Sequence, residues 1–257
     1  MVEALAMRSW ARFDWDNRTA LWAEAACAAG RKALQDPGLA HWYQCENTWF
    51  AGVDALPNDA TGALGDIPLE GAALEAIRAG LGPIPPLHAA QLSVIFPGYP
   101  RPRANESEAA FGYRLKRDSA HVDGLLAEGS QRRRHLREPH AWILGLPLSD
   151  SHPDAAPMVV WEGSHKVMAQ AFRNAFLDHP PEVWGEIDVT EIYQTARREV
   201  FDSCPRVRVH ARPGEAYVVH PLALHGVAPW SAPDGPGRMI AYFRPECPGG
   251  IADWPIS

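Results

Sequence analysis

A chain of 257 residues with 46% hydrophobic and 21% charged side chains has the make-up of an ordinary globular protein that can bury a sizeable core. Its net charge of −7 has the wrong sign for a surface built around nucleic acid or an anionic membrane, although it leaves room for a local basic patch. Cys27, Cys45, Cys204 and Cys247 form no C-x-x-C pair, the opening "MVEALAMRSWARFDWD" carries no basic-then-apolar leader, and no apolar run reaches spanning length; together these predict a cytoplasmic protein in a reducing compartment, with no membrane or nucleic-acid partner.

In chain order, "NRTALWAEAACAAGRKALQD" (17–36) sets Leu21, Ala25 and Ala28 at helical spacing among helix-forming residues and predicts a helix. The aromatic, weakly alternating "HWYQCENTWFAGV" (41–53) reads as strand, and "LEGAALEAIRAGLG" (69–82) as a second helix stopped by Gly82 and Pro83. From residue 88 the texture changes to short β-like runs: 87–96, 111–123, 141–148, 158–164, 206–211, 215–220 and 238–245, separated by Gly, Pro, Asp and Ser clusters. One helical insertion, about 166–200, interrupts them. This order predicts a mainly β sandwich or jelly roll with flanking helices. We read residues 1–257 as a single domain, with 1–87 a helical and mixed N-terminal cover and 88–245 the core.

Two H-x-D triplets occur. His152-Pro-Asp154 lies in the turn-rich "SDSHPDAAP" and reads as loop chemistry. His121-Val-Asp123 closes the run in which Phe111, Tyr113 and Leu115 alternate, and residues two apart on a strand point the same way, so an imidazole and a carboxylate can meet at one point. One more imidazole completes a two-His-one-carboxylate face, which leaves adjacent positions open on a non-haem Fe(II); zinc accepts the same ligands. His220 and His225, in "EAYVVHPLALHGVAPW", both qualify as that third ligand, and spacing does not choose between them. Arg238, thirteen residues after His225 (238 − 225), begins an apolar strand and offers a guanidinium fork for a carboxylate.

Taken in order, "HVD" (121–123), "APMVVWEGSHK" (156–166), "RPGEAYVVHPLALHGVAP" (212–229) and "GRMIAYF" (237–243) resemble the phytanoyl-CoA dioxygenase-type Fe(II)/2-oxoglutarate-dependent oxygenases, over roughly residues 88–245. "EGSHK" departs from the family's Pro-Gly-Ser-His turn in having Glu162 for the proline. The resemblance implies a double-stranded β-helix, with His121, Asp123 and His225 as catalytic metal ligands and Arg238 as partner of the distal carboxylate of 2-oxoglutarate. His165 and His220 become structural. The implied reaction uses Fe(II), 2-oxoglutarate and O2 to oxidise a C–H bond of a small-molecule substrate, releasing succinate and CO2. Because some relatives with a small residue at the carboxylate position halogenate, Asp123 favours hydroxylation.

Around this site, Gln91 and Tyr113 are expected to bind 2-oxoglutarate. Trp161 is expected to line the substrate pocket, and Arg132 and Arg134, in the basic "QRRRHLREPH", to meet an anionic substrate. Two other classes compete: a metal-dependent isomerase or hydrolase on a cupin-like barrel, and a non-catalytic binding module. Neither would need Arg238.

Overall fold

The protein is described by a computed structural model covering residues 1–254. Its first half contributes strands β1 (Trp10–Phe13), β2 (Tyr43–Gln44), β3 (Trp49–Gly52), β4 (Gln91–Ile95), β5 (Leu125–Glu128) and β6 (Arg133–Leu136). The second half contributes β7 (Ile143–Pro147), β8 (Met158–Trp161), β9 (Arg206–Val209), β10 (Ala216–Val219), β11 (His225–Val227) and β12 (Arg238–Phe243). The helices are α1 (Val2–Arg8), α2 (Asn17–Ala33), α3 (Ala72–Leu81), α4 (Glu108–Lys116), α5 (Ser164–Phe176) and α6 (Thr190–Ser203).

Seven strands form one antiparallel sheet in the order β1-β10-β7-β12-β4-β3-β2, and three form a second, β11-β8-β9; β5 and β6 pair as a hairpin. The two-residue alternation of each strand divides its side chains between layers. In β12, Met239, Ala241 and Phe243 join Trp22, Ala26, Leu74 and Ile77 of α2 and α3 on the outer face of the large sheet. Ile240, by contrast, packs inward with Ile143, Tyr217 and Val219 against Met158, Val160 and Val209 of the small sheet. The outer face of the small sheet, Val159 and Trp161, is covered by Met168 and Phe172 of α5 and Tyr193 and Val200 of α6. The order across the molecule is therefore helices, large sheet, small sheet, helices.

Asp16 fixes the start of two helices: Oδ1 accepts from Arg18 N at 2.9 Å and Oδ2 from Ala72 N at 3.1 Å. The helices expected over 17–36, 69–82 and within 166–200 form as α2, α3, α5 and α6. Three expectations change. The run 111–123 is not a strand: Ser107 caps α4 by accepting from Ala110 N, and Tyr113 and Leu115 lie 51% and 37% exposed. Good helix formers behind a serine cap outweighed an alternation with no buried face to serve. Residues 41–53 make a hairpin rather than one strand, reversing at Cys45, Glu46 and Asn47, all with positive φ. Residues 1–87 supply three strands of the large sheet as well as its helical cover, and helical residues outnumber strand residues among the described residues. Among the described residues no helix is long and apolar enough to cross a membrane.

Candidate metal centre

The segment before Asp123 is held from both sides. His121 forms an isolated antiparallel bridge with His225, its N–H donating to His225 O at 2.8 Å while His225 N–H returns the bond at 3.0 Å; Val227 N–H donates to Asp118 O at 2.8 Å. Residues 118–121 thus extend the small sheet beyond β11. The close approach needs Gly226, where a Cβ would fall 2.2 Å from Asp118 O. The buried Asp118 carboxylate is clamped by Arg206 Nε and Nη2 at 2.6 and 2.9 Å. From the helical side, the hydroxyl of buried Tyr193 accepts from Val122 N–H at 3.2 Å, in the middle of the triplet. The "EGSHK" turn serves the same end: Ser164 Oγ accepts from Leu224 N at 2.9 Å, one residue before His225.

Three ligand atoms converge from this scaffold. One from each of His121, Asp123 and His225 lies within 4.8 Å of the others, with His121 Nε2 and His225 Nε2 at 3.2 and 3.6 Å from Asp123 Oδ1. Each imidazole faces the carbonyl two residues back: His121 Nδ1 to Ser119 O at 3.0 Å, His225 Nδ1 to Ala223 O at 2.9 Å. A carbonyl only accepts, so Nδ1 carries the proton and the Nε2 lone pair points at the shared centre. With bonds of about 2.0–2.2 Å to one ion, ligand atoms at right angles sit roughly 3 Å apart, and the observed spacings suit that. Burial pushes His225 down to about 4, keeping it in the neutral, ligating form. Burial raises the Asp123 carboxyl, but Arg244, His225 and His121 outweigh it and hold the group well below the usual carboxylate range.

The centre opens on a cavity of about 160 Å³ lined by Trp49, Gln91, Ser93, Ile143 and Tyr242 of the large sheet and Met158 of the small one. A second cavity of about 860 Å³ adjoins it, sharing Trp49, Gln91 and Arg244 and bordered by Trp42, Pro85, Pro86, His88, Glu138, His140 and Glu246. Arg238 stands on the inward-facing alternation of β12 with Ile240 and Tyr242, only 4% exposed, and none of Nε, Nη1 and Nη2 has a hydrogen-bond partner among the described residues. A buried guanidinium without an acceptor is expensive, so the position fits an anionic group brought in from outside the chain. Tyr217 and Tyr242 flank Gly145 across three strands and join their hydroxyls at 2.8 Å above it.

The structure thus brings together His121, Asp123 and His225, buries Arg238 in the interior, and sets Gln91 in the cavity wall. It does not bring the other predicted residues there. Tyr113, on α4, lies under the Arg197 guanidinium at 5.9 Å and lines neither cavity. Trp161 faces the α5–α6 side and meets Phe201 edge-on at 5.2 Å. Arg132 is at the turn of the β5–β6 hairpin, while Arg134 lies over Tyr193 at 5.2 Å and donates to Leu125 O; neither lines the cavities. His220 lies beside His165 with ring centroids 4.7 Å apart and planes tilted by 43°, burial pushes it down to about 3, and its Nδ1 accepts from Leu222 N. His152 accepts from Asp154 N in a surface turn. Sequence reasoning missed Arg244, whose Nη1 is 3.3 Å from Asp123 Oδ2. Continuing the β12 alternation from Arg238 by twos reaches it.

No protein-family profile and no curated protein sequence matches the chain. Solved structures do. EctD from S. alaskensis with bound Fe superposes with a TM-score of 0.53 at 15% identity, covering 95% of this chain and 74% of that one. The same protein with 2-oxoglutarate and 5-hydroxyectoine gives 0.52 at 14%, covering 95% and 73%. The non-haem α-ketoglutarate-dependent carbocyclase SnoK from nogalamycin biosynthesis gives 0.51 at 15%, covering 95% and 81%. At these identities the likeness is one of fold: the chain has the fold of non-haem, 2-oxoglutarate-dependent enzymes.

Proposed function

We propose that the protein is an Fe(II)- and 2-oxoglutarate-dependent oxygenase acting on a small molecule, with the whole chain as one domain and its two facing sheets as the walls of a double-stranded β-helix. The observations that support the reading are the His121–Asp123–His225 cluster and, on β12, whose Tyr242 lines the same cavity, a buried Arg238 without a hydrogen-bond partner among the described residues. The cluster alone suits several metals and reactions; an isomerase or hydrolase has no use for the arginine. In this reading His121, Asp123 and His225 hold the iron, and Arg238 takes the distal carboxylate of 2-oxoglutarate. When bound, iron and cosubstrate supply the oxidative chemistry, consuming O2 and releasing succinate and CO2 as a substrate C–H bond is oxidised.

The chain's own part is to bind and orient. Backbone carbonyls of Ser119 and Ala223 keep both imidazoles in the ligating tautomer. Ile143, Met158 and Tyr242 make the small cavity largely apolar beside the buried Asp123 and His225, while the His121 side chain stays 47% exposed, so the centre is open to solvent on that ligand's side. The larger adjoining cavity, walled by Trp42 and Trp49, is the substrate's place, and hydroxylation the simplest outcome for an intact triad. The basic β5–β6 hairpin borders neither cavity, so nothing from it supports an anionic substrate. Four free thiols suit the reducing cytoplasm. The reading is tested by anaerobic equilibrium binding of Fe(II): His121→Ala, Asp123→Ala and His225→Ala should each lose the ion while His152→Ala binds as the parent does. Retention by the first three, or loss by the fourth, contradicts it.

A further inference from the structure

Asp123 divides its two oxygens. Oδ1 faces both imidazoles, where an ion would lie, and Oδ2 faces Arg244 Nη1 at 3.3 Å. Arg244 is itself fixed at both ends. Its Nη2 donates to Gln91 Oε1, and its backbone N–H donates to His88 Nε2 at 3.1 Å. The sheet makes this possible: Gln91 on β4 is the register partner of Tyr242, two residues before Arg244, so both side chains come off the same face.

We infer that Arg244 is a positioning residue for the metal-ligating carboxylate: it holds Oδ2 aside so that Asp123 binds through Oδ1 alone, and Gln91 orients Arg244 to do so. The inference rests on the iron reading above. A carboxylate free to turn can chelate through both oxygens, and on an ion with three protein ligands the second oxygen would fill a position the cosubstrate needs. Arg244 thereby guards an open coordination position without touching it, a task distinct from that of Arg238 deeper in the fold.

The consequence separates metal binding from cosubstrate binding. Removing a positive charge beside the ligand favours a cation, whereas releasing the carboxylate disfavours a chelating cosubstrate. The test uses Co(II) as the spectroscopic probe on the full chain, with Arg244→Gln and Arg244→Lys. Arg244→Gln should bind Co(II) at least as tightly as the parent, show an altered visible ligand-field band before any cosubstrate is added, and then bind 2-oxoglutarate about tenfold or more weakly. Arg244→Lys should restore the parent band. Gln91→Leu, which leaves the guanidinium unoriented, should move the band in the same direction and carries the test if Arg244→Gln fails to fold. A parent-like band in the variant that folds, or Co(II) and 2-oxoglutarate affinities falling together, overturns the inference. Failure of the parent itself to bind Co(II) overturns the iron reading, and this inference with it.

Discussion

Arg238→Met should have two effects of opposite sign. Arg238 is 4% exposed and all three of its guanidinium nitrogens lack hydrogen-bond partners among the described residues, so without a ligand it is a buried charge without a hydrogen-bonded counter-group. Exchanging a buried ionic group for a packed apolar one of similar length is often neutral or stabilising by about 1–4 kcal/mol. For a chain this size that is a rise in melting temperature of roughly 2–4 °C per kcal/mol. Binding goes the other way. Two charge-assisted hydrogen bonds to a carboxylate are worth about 1.5–3 kcal/mol each, so their loss should weaken 2-oxoglutarate roughly 10²- to 10⁴-fold at 1.4 kcal/mol per power of ten. Calorimetric titration of Mn(II)-loaded protein with 2-oxoglutarate measures the second effect, and thermal unfolding of the metal-free protein the first. Unchanged cosubstrate affinity, or a fall in melting temperature, would refute the reasoning, the latter because it would mean that Arg238 already has partners.

Gly226→Ala should abolish metal binding although Gly226 is no ligand, because the new methyl would meet Asp118 O at 2.2 Å and Ala120 Cα at 3.2 Å, both backbone, and would drive the His121 segment off β11; equilibrium dialysis with Fe(II) detects it, and full binding would contradict the bridge. Tyr193→Phe leaves the Val122 N–H without its acceptor in a buried site and should destabilise by about 1–3 kcal/mol in a denaturant titration, an unchanged midpoint counting against that bond. Asp16→Ala uncaps α2 and α3 together and should cost about 1–2 kcal/mol, while Asp16→Asn, whose single amide oxygen can replace only one of the two carboxylate acceptors, should recover only part of it; full recovery by Asp16→Asn would show that one of the two caps is irrelevant.

What could be read in the sequence was what depends on local period and residue chemistry. The strands containing 91–95, 143–147, 158–161, 216–219 and 238–243 are short apolar runs between turn residues, and their burial follows from composition. His121 and Asp123 do share a centre, but not because they end a strand. The chain reaches His121 through a helix and a turn at Asp118 and Ser119, both with positive φ, and is then captured by β11. That capture is a pairing between residues about a hundred apart, which no local pattern encodes. Tyr113 lies away from both cavities for a different, local reason: its apparent alternation belongs to a helix with no buried residue. Arg132 and Arg134 misled because a dense run of charge says nothing of where it points; here it decorates a hairpin. The alternation of β12 puts Arg244 on the same face as Arg238, but its contact with Asp123 depends on the fold, because the two are 121 residues apart.

The central claim is that one centre holds both iron and 2-oxoglutarate. Its most direct test is the anaerobic visible absorption spectrum of the full chain titrated with Fe(II) and then 2-oxoglutarate. A weak charge-transfer band should grow to one equivalent of each, absent from His225→Ala and, at matched cosubstrate concentration, from Arg238→Met. A parent protein that takes up Fe(II) yet gives no band with saturating 2-oxoglutarate would contradict the account.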